Sequence, residues 1–113
     1  MSDRELLEWA AKAAGIEGEW AEWDHAYGDY RELGLDYGGR TLWNPLTDDG
    51  DALRLAVNLF IQIYPGKDEV EIFHMEIGYV VEPTNGDVID ATRRAIVRAA
   101  AEIGRQMQEG GAA

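Results

Sequence analysis

Cysteine is absent from this 113-residue chain, which removes disulfides, thiolate nucleophiles and sulfur-based zinc sites together. That absence suits a reducing cytoplasm. Serine occurs once, as Ser2, at a helix start and outside any nucleophile elbow. The two histidines, His25 and His74, form no H-x-x-x-H pair that would aim two nitrogens at one ion. Neither G-x-G-x-x-G nor G-x-x-x-x-G-K-[ST] is present. No apolar run approaches the roughly 18 residues of a membrane span, and the N-terminus lacks the basic and apolar regions of a signal peptide. These absences predict a cytoplasmic, non-enzymatic protein with no cofactor, no metal and no membrane association.

Positive charge is also scarce. Ten Lys and Arg face 22 Asp and Glu, for a formal net charge of -12. Residues 1 to 51 hold 13 acids against 4 bases, and residues 52 to 113 hold 9 against 6. Such a field repels nucleic acid and anionic lipid, so no direct nucleic-acid contact is expected. A solubility surface explains acidity of this kind most simply. A basic partner protein, or imitation of DNA, stays open, with Glu17, Glu19, Glu22, Asp24, Asp29 and Asp36 as the negative face such a partner would meet.

The length is that of one domain, expected over residues 1–109 with a disordered tail at 110–113. Ser2 to Glu5 reads S-x-x-E, a capping box for a helix from Asp3 to Ala14, which Gly15 and Ile16 terminate. In residues 17–42 the aromatics Trp20, Trp23, Tyr27 and Tyr30 suit a helical spacing, yet Gly28 and its aspartates favour irregular strand pieces. A second helix is predicted from about Asp48 to Leu59, capped by Thr47 or Asp48, with Leu53, Ala56, Val57 and Phe60 buried. Alternation then predicts a hairpin around Pro65 to Asp68. The phase slips at Phe73 to Ile77, which suggests a bulge or a doubly covered strand. A final helix runs from Asp87 to about Gln108. Its inward row is Ile89, Thr92, Ile96, Ala100, Ile103 and Met107, with Asp90–Arg94 and Arg98–Glu102 paired outside and a smooth row at Ala91, Ala95 and Ala99. The predicted fold is α+β: a small, mainly antiparallel sheet with three helices, the long C-terminal helix packed on the sheet and room for a helix on its other face.

The stretch Trp43 to Val57, WNPLTDDGDALRLAV, resembles a segment of small phage and prophage proteins of unknown function, some grouped as phage ABA-sandwich-like. Arg4 to Ile16 and Ala91 to Gly104 look like the ends of the same proteins, whereas residues 17–42 do not match. The resemblance implies a phage protein in the host cytoplasm and transfers no catalytic residue.

Asp48, Asp49 and Asp51 invite a calcium reading, but the glycine falls third and no distal acid follows, so helix capping explains them better. Six of eleven aromatics, Trp20, Trp23, Tyr27, Tyr30, Tyr37 and Trp43, fall in the least regular segment. Surface loops carry binding, and flat rings stack on nucleobases; roofing the sheet is the equal alternative. Guanidinium groups bind phosphate bidentately. The expected ligand site is therefore Arg40, Trp43, Asn44, Asp48, Arg54, Arg93 and Arg94, with a base stacked on Trp43 or a nearby tyrosine. The favoured function is sequestration of a nucleotide-like host immune signal. The alternative is an acidic inhibitor of a basic host protein. A homo-oligomer is compatible with either.

Overall fold

The computed structural model describes residues 1–25 and 31–110. The expected aromatics Tyr27 and Tyr30, with Asp29, lie outside them, as do residues 111–113 of the expected tail; Gly110 belongs to the last helix. Among the described residues, three helices and two small antiparallel sheets give an α+β protein with its C-terminal helix packed on the larger sheet. Among the described residues no helix is long and apolar enough to cross a membrane.

Each helix begins at a side-chain cap. Helix α1, Asp3–Ala14, starts where Ser2 Oγ accepts from the Glu5 N–H at 3.2 Å. It ends at left-handed Gly15, with the Ile16 N–H donating to the Ala11 carbonyl, the pattern that satisfies a helix's last carbonyls. In α2, Asp49–Asn58, the cap is Asp48, which accepts from the Asp51 N–H at 2.8 Å. Asp87 caps α3, Val88–Gly110, through the Asp90 N–H.

The described residues between 17 and 42 contain a two-stranded ribbon, β1 Glu19–Asp24 and β2 Arg31–Asp36, with Glu19 opposite Asp36 and Asp24 opposite Arg31. The other edge of β2 takes a single bridge from the Trp43 segment: Leu35 and Trp43 exchange both backbone hydrogen bonds, at 3.0 and 2.9 Å. Gly34 makes that crossing possible. A Cβ there would lie 2.5 Å from the Trp43 carbonyl oxygen.

The second sheet is a meander of β3 Gln62–Tyr64, β4 Glu69–His74 and β5 Gly78–Pro83. The phase slip at Phe73 to Ile77 is neither a bulge nor a doubly covered strand. Met75 to Ile77 form the turn of a second hairpin, in which His74 pairs with left-handed Gly78. Helix α3 lies between this sheet and α1, and it also touches α2. Its small residues permit this, because Ala91, Ala95, Ala99 and Ala100 are all buried and Gly104 faces the Trp9 carbonyl of α1.

Two side-chain assignments change. Leu53, Val57 and Phe60 are exposed, whereas Asp51, Ala52, Leu55 and Ala56 are buried. Helix α2 is thus turned by one residue, about 100°, because the Asp51 carboxylate is drawn inward to a backbone amide. In α3 the buried row keeps Ile96, Ala100 and Ile103, while Ile89 and Met107 face solvent. The expected pairs within α3 give way to longer-range ones: Arg94 reaches Asp3, and Arg98 reaches Glu82 and the Val81 carbonyl. Asp90 and Glu102 pair instead with Arg93 and Arg105.

Gly34→Ala should therefore displace the Trp43 segment and cost about 1–3 kcal/mol, the usual range for an overpacked contact. Urea unfolding measures this, and a loss below about 0.5 kcal/mol would show that the crossing tolerates a methyl group.

Candidate functional site

The polar side of the WNPLTDDGDALRLAV segment is organised by one buried residue. Asn44 Nδ2 donates to the Leu33 carbonyl at 2.8 Å, and its Oδ1 accepts from the Leu46 N–H at 3.0 Å. The Asn44 N–H donates to Asp51 Oδ2 at 3.0 Å. Its carbonyl accepts from the backbone amides of Thr47 and Asp48. Strand β2, the Pro45 turn and α2 are thereby tied through a single residue. Asp51, also buried, spends its second oxygen on Arg54, whose Nη2 donates at 2.8 Å.

Asp48, Asp51 and Arg54 are spaced three apart and so share one side of α2. That side forms one wall of a hollow of about 580 Å³, within the range usual for small-molecule sites. Arg31, Glu32 and Leu33 of β2 form the opposite wall, and Tyr37, Thr41 and Leu42 close the end. The mouth is wet, since Arg31, Tyr37, Thr41, Asp48 and Arg54 are all exposed.

Two guanidinium groups face three carboxylates here, and the carboxylates are already occupied. Asp51 and Asp48 accept as described, and Glu32 accepts from the Leu42 N–H and contacts His25. Arg54 lies 3.9 Å from Asp48 and keeps 70% of its side chain exposed. Its hydrogen bond with Asp51 raises its pKa further above an already high value, so it is a cation at neutral pH. Arg31 bridges Glu22 and Asp24 on the same face of the ribbon.

Of the expected ligand residues, Asn44, Asp48 and Arg54 reach this hollow. Trp43 does not: it is 5% exposed within the core, so no base can stack on it. The reason is its bridge with Leu35, which turns the indole inward. Arg40 is exposed beyond the Gly38-Gly39 bend and does not line the hollow. Arg93 is held behind the turn by the Leu46 carbonyl and Asp49, and Arg94 sits on Asp3. The expected convergence of arginines is thus not formed.

Tyr37, 49% exposed, supplies the accessible ring. Tyr37 is a tyrosine near Trp43, where stacking is expected, whereas Arg31, Thr47 and Asp51 line the hollow without being among the expected ligand residues. The i,i+3 spacing of Asp48, Asp51 and Arg54 was the available signal. Of the other aromatics, Trp20 and Trp23 are half-buried. The proposed acidic face is divided, because Glu19 and Asp36 lie on one side of the ribbon and Glu22 and Asp24 on the other.

Comparison with protein-family models, curated proteins and solved structures gives no match for this chain.

The two ends of the Asp51–Arg54 pair should differ sharply. Asp51→Ala leaves the buried Asn44 N–H unsatisfied and should cost about 1–3 kcal/mol. Arg54→Ala removes an exposed partner and should cost under about 1 kcal/mol. Equal losses in chemical denaturation would mean that Asp51 acts only through the ion pair.

Proposed function

We propose that this protein is a non-enzymatic binder of a small nucleotide-like ligand, held in the hollow between β2 and the start of α2. The observation that carries the reading is the meeting of an exposed ring, Tyr37, with two exposed guanidinium groups, Arg31 and Arg54, beside ordered carboxylates. In this reading the base stacks on Tyr37, a tyrosine near Trp43, and not on the buried Trp43 itself. Asp48 and the Thr41 and Thr47 hydroxyls accept from its ring or exocyclic amine. Arg54 and Arg31 hold phosphate.

The acids set the ligand's charge. Three carboxylates at the walls repel a triphosphate but tolerate one or two dispersed phosphodiester charges, particularly when a base amine is donated to them. Cyclic dinucleotides and ADP-ribose derivatives therefore fit the site better than ATP does. The phage origin implied by the resemblance makes sequestration of such a host immune signal the biological role. Sequestration needs only tight, stoichiometric uptake.

A thermal-shift screen of cyclic dinucleotides, ADP-ribose derivatives and ATP tests this. A true ligand at about 100 times its Kd adds about 2.7 kcal/mol, equivalent to a Tm rise of roughly 10 °C for a domain of this size. Tyr37→Ala and Arg54→Ala should each abolish most of that rise while leaving the unliganded Tm nearly unchanged. Absence of any shift at millimolar ligand, or a shift indifferent to both variants, would contradict the assignment.

A further inference from the structure

Among the described residues, only one face of the larger sheet is covered by a helix. Helix α3 packs on β4 and β5, and Val70 and Ile72 are fully buried on that side. On the opposite face the register sets Gln62, Phe73 and Tyr79 in one row across the three strands, and Tyr64, Glu71 and Val81 in the next. Tyr79 is 65% exposed and Tyr64 51%. The rings of Phe73 and Tyr79 lie 4.9 Å apart between centroids. At the same end of the sheet Phe60 and Met75 project almost entirely into solvent.

An antiparallel sheet with one wet face ordinarily turns polar residues to the water. This one turns aromatic rings and a valine outward, and exposed apolar surface of that kind marks a partner site. Charge then selects the partner. Strands β3, β4 and β5 contain no lysine or arginine. Glu69 and Glu71 stand on the outer face, Glu76 lies in the β4–β5 turn beside Met75, Lys67 lies in the β3–β4 turn, and Arg98 of α3, which reaches the Val81 carbonyl, is paired with Glu82. A second copy of the chain would bring carboxylates against carboxylates in a protein of net charge -12, and an anionic membrane would meet the same repulsion. Width sets the shape. Two inter-strand spacings amount to about 10 Å, close to the roughly 10–12 Å diameter of one helix.

We infer that the outer face of the β3–β4–β5 sheet docks a basic amphipathic helix of another protein. The partner's apolar stripe lies on Tyr64, Phe73, Tyr79 and Val81, and its Lys or Arg residues flank the stripe opposite Glu69, Glu71 and Glu76. It occupies the layer that α3 occupies on the other side. This face is separate from the hollow at α2, so the two sites stand or fall independently.

The probe is an 18-residue leucine–lysine peptide with helical amphipathic spacing, compared with a scrambled peptide of the same composition, in an NMR titration of the full chain. Shift changes should concentrate on Tyr64, Glu71, Phe73, Tyr79 and Val81, and the ordered peptide should bind more tightly than the scrambled one. The double variant Tyr64→Ser/Tyr79→Ser keeps the charge and alters only exposed side chains. It should weaken binding about tenfold or more, as loss of aromatic anchors does. Glu17→Gln/Asp36→Asn removes two charges away from the face and should change affinity by less than about twofold. Equal affinity for the scrambled peptide, or shifts spread over the β1–β2 ribbon, would reduce the effect to general charge attraction and overturn the inference. So would a concentration-dependent dimer that Tyr79→Ser abolishes, because the occupant would then be a second copy.

Discussion

The buried amide of Asn44 is the constraint on which the rest of this architecture turns. Its side chain donates to β2 and accepts from the turn, while its backbone is held by Asp51 of α2. Buried polar groups cost free energy unless each is satisfied, and here they satisfy one another. Among the described residues no buried side-chain nitrogen or oxygen lacks a partner. The network is therefore a specifying one: a shift of β2 or a rotation of α2 would leave several buried groups unpaired at once. It also explains why α2 buries a carboxylate in place of the Leu53 and Val57 side chains.

The same clamp creates the hollow. Since the oxygens of Asp51 face inward and the cap at Asp48 fixes the first turn, Arg54 is presented at a set position against the β2 wall. A site built this way is pre-formed, and pre-formation reduces the ordering cost of binding. The larger sheet shows the opposite condition, with one face packed on α3 and the other left uncovered by the described residues. One small protein thus carries a polar hollow and an aromatic sheet face, and both lie within a strongly negative field that favours cationic or amine-bearing partners.

Much of the fold was legible in local chemistry. Ser2, Asp48 and Gly15 mark helix ends through groups that act within one turn of chain, and Pro65 to Asp68 marks a hairpin for the same reason. The face of α2 was not legible, because apolar periodicity favoured Leu53 and Val57, and the deciding bond runs from Asp51 to an amide seven residues earlier. The turn at Met75 to Ile77 was missed because its apolar residues imitate a strand, although Gly78 carries the left-handed backbone that closes it. The site divides similarly. Asn44, Asp48 and Arg54 belong to one segment and could be grouped from spacing, whereas Arg31 and Tyr37 join them through tertiary links, the Leu35–Trp43 bridge and the Asn44–Leu33 and Leu42–Glu32 hydrogen bonds. That bridge also withdraws Trp43, a residue whose identity alone suggests an exposed stacking platform.

Native-state hydrogen exchange at the Asn44 and Leu46 amides tests the central claim most directly. If the clamp is a rigid part of the core, both amides exchange in the slowest class, together with Val70 and Ile72 of β4, through global unfolding. Exchange of either amide at the rate of the Gly38-Gly39 bend would show that the segment opens locally, and the hollow would not be a pre-formed site.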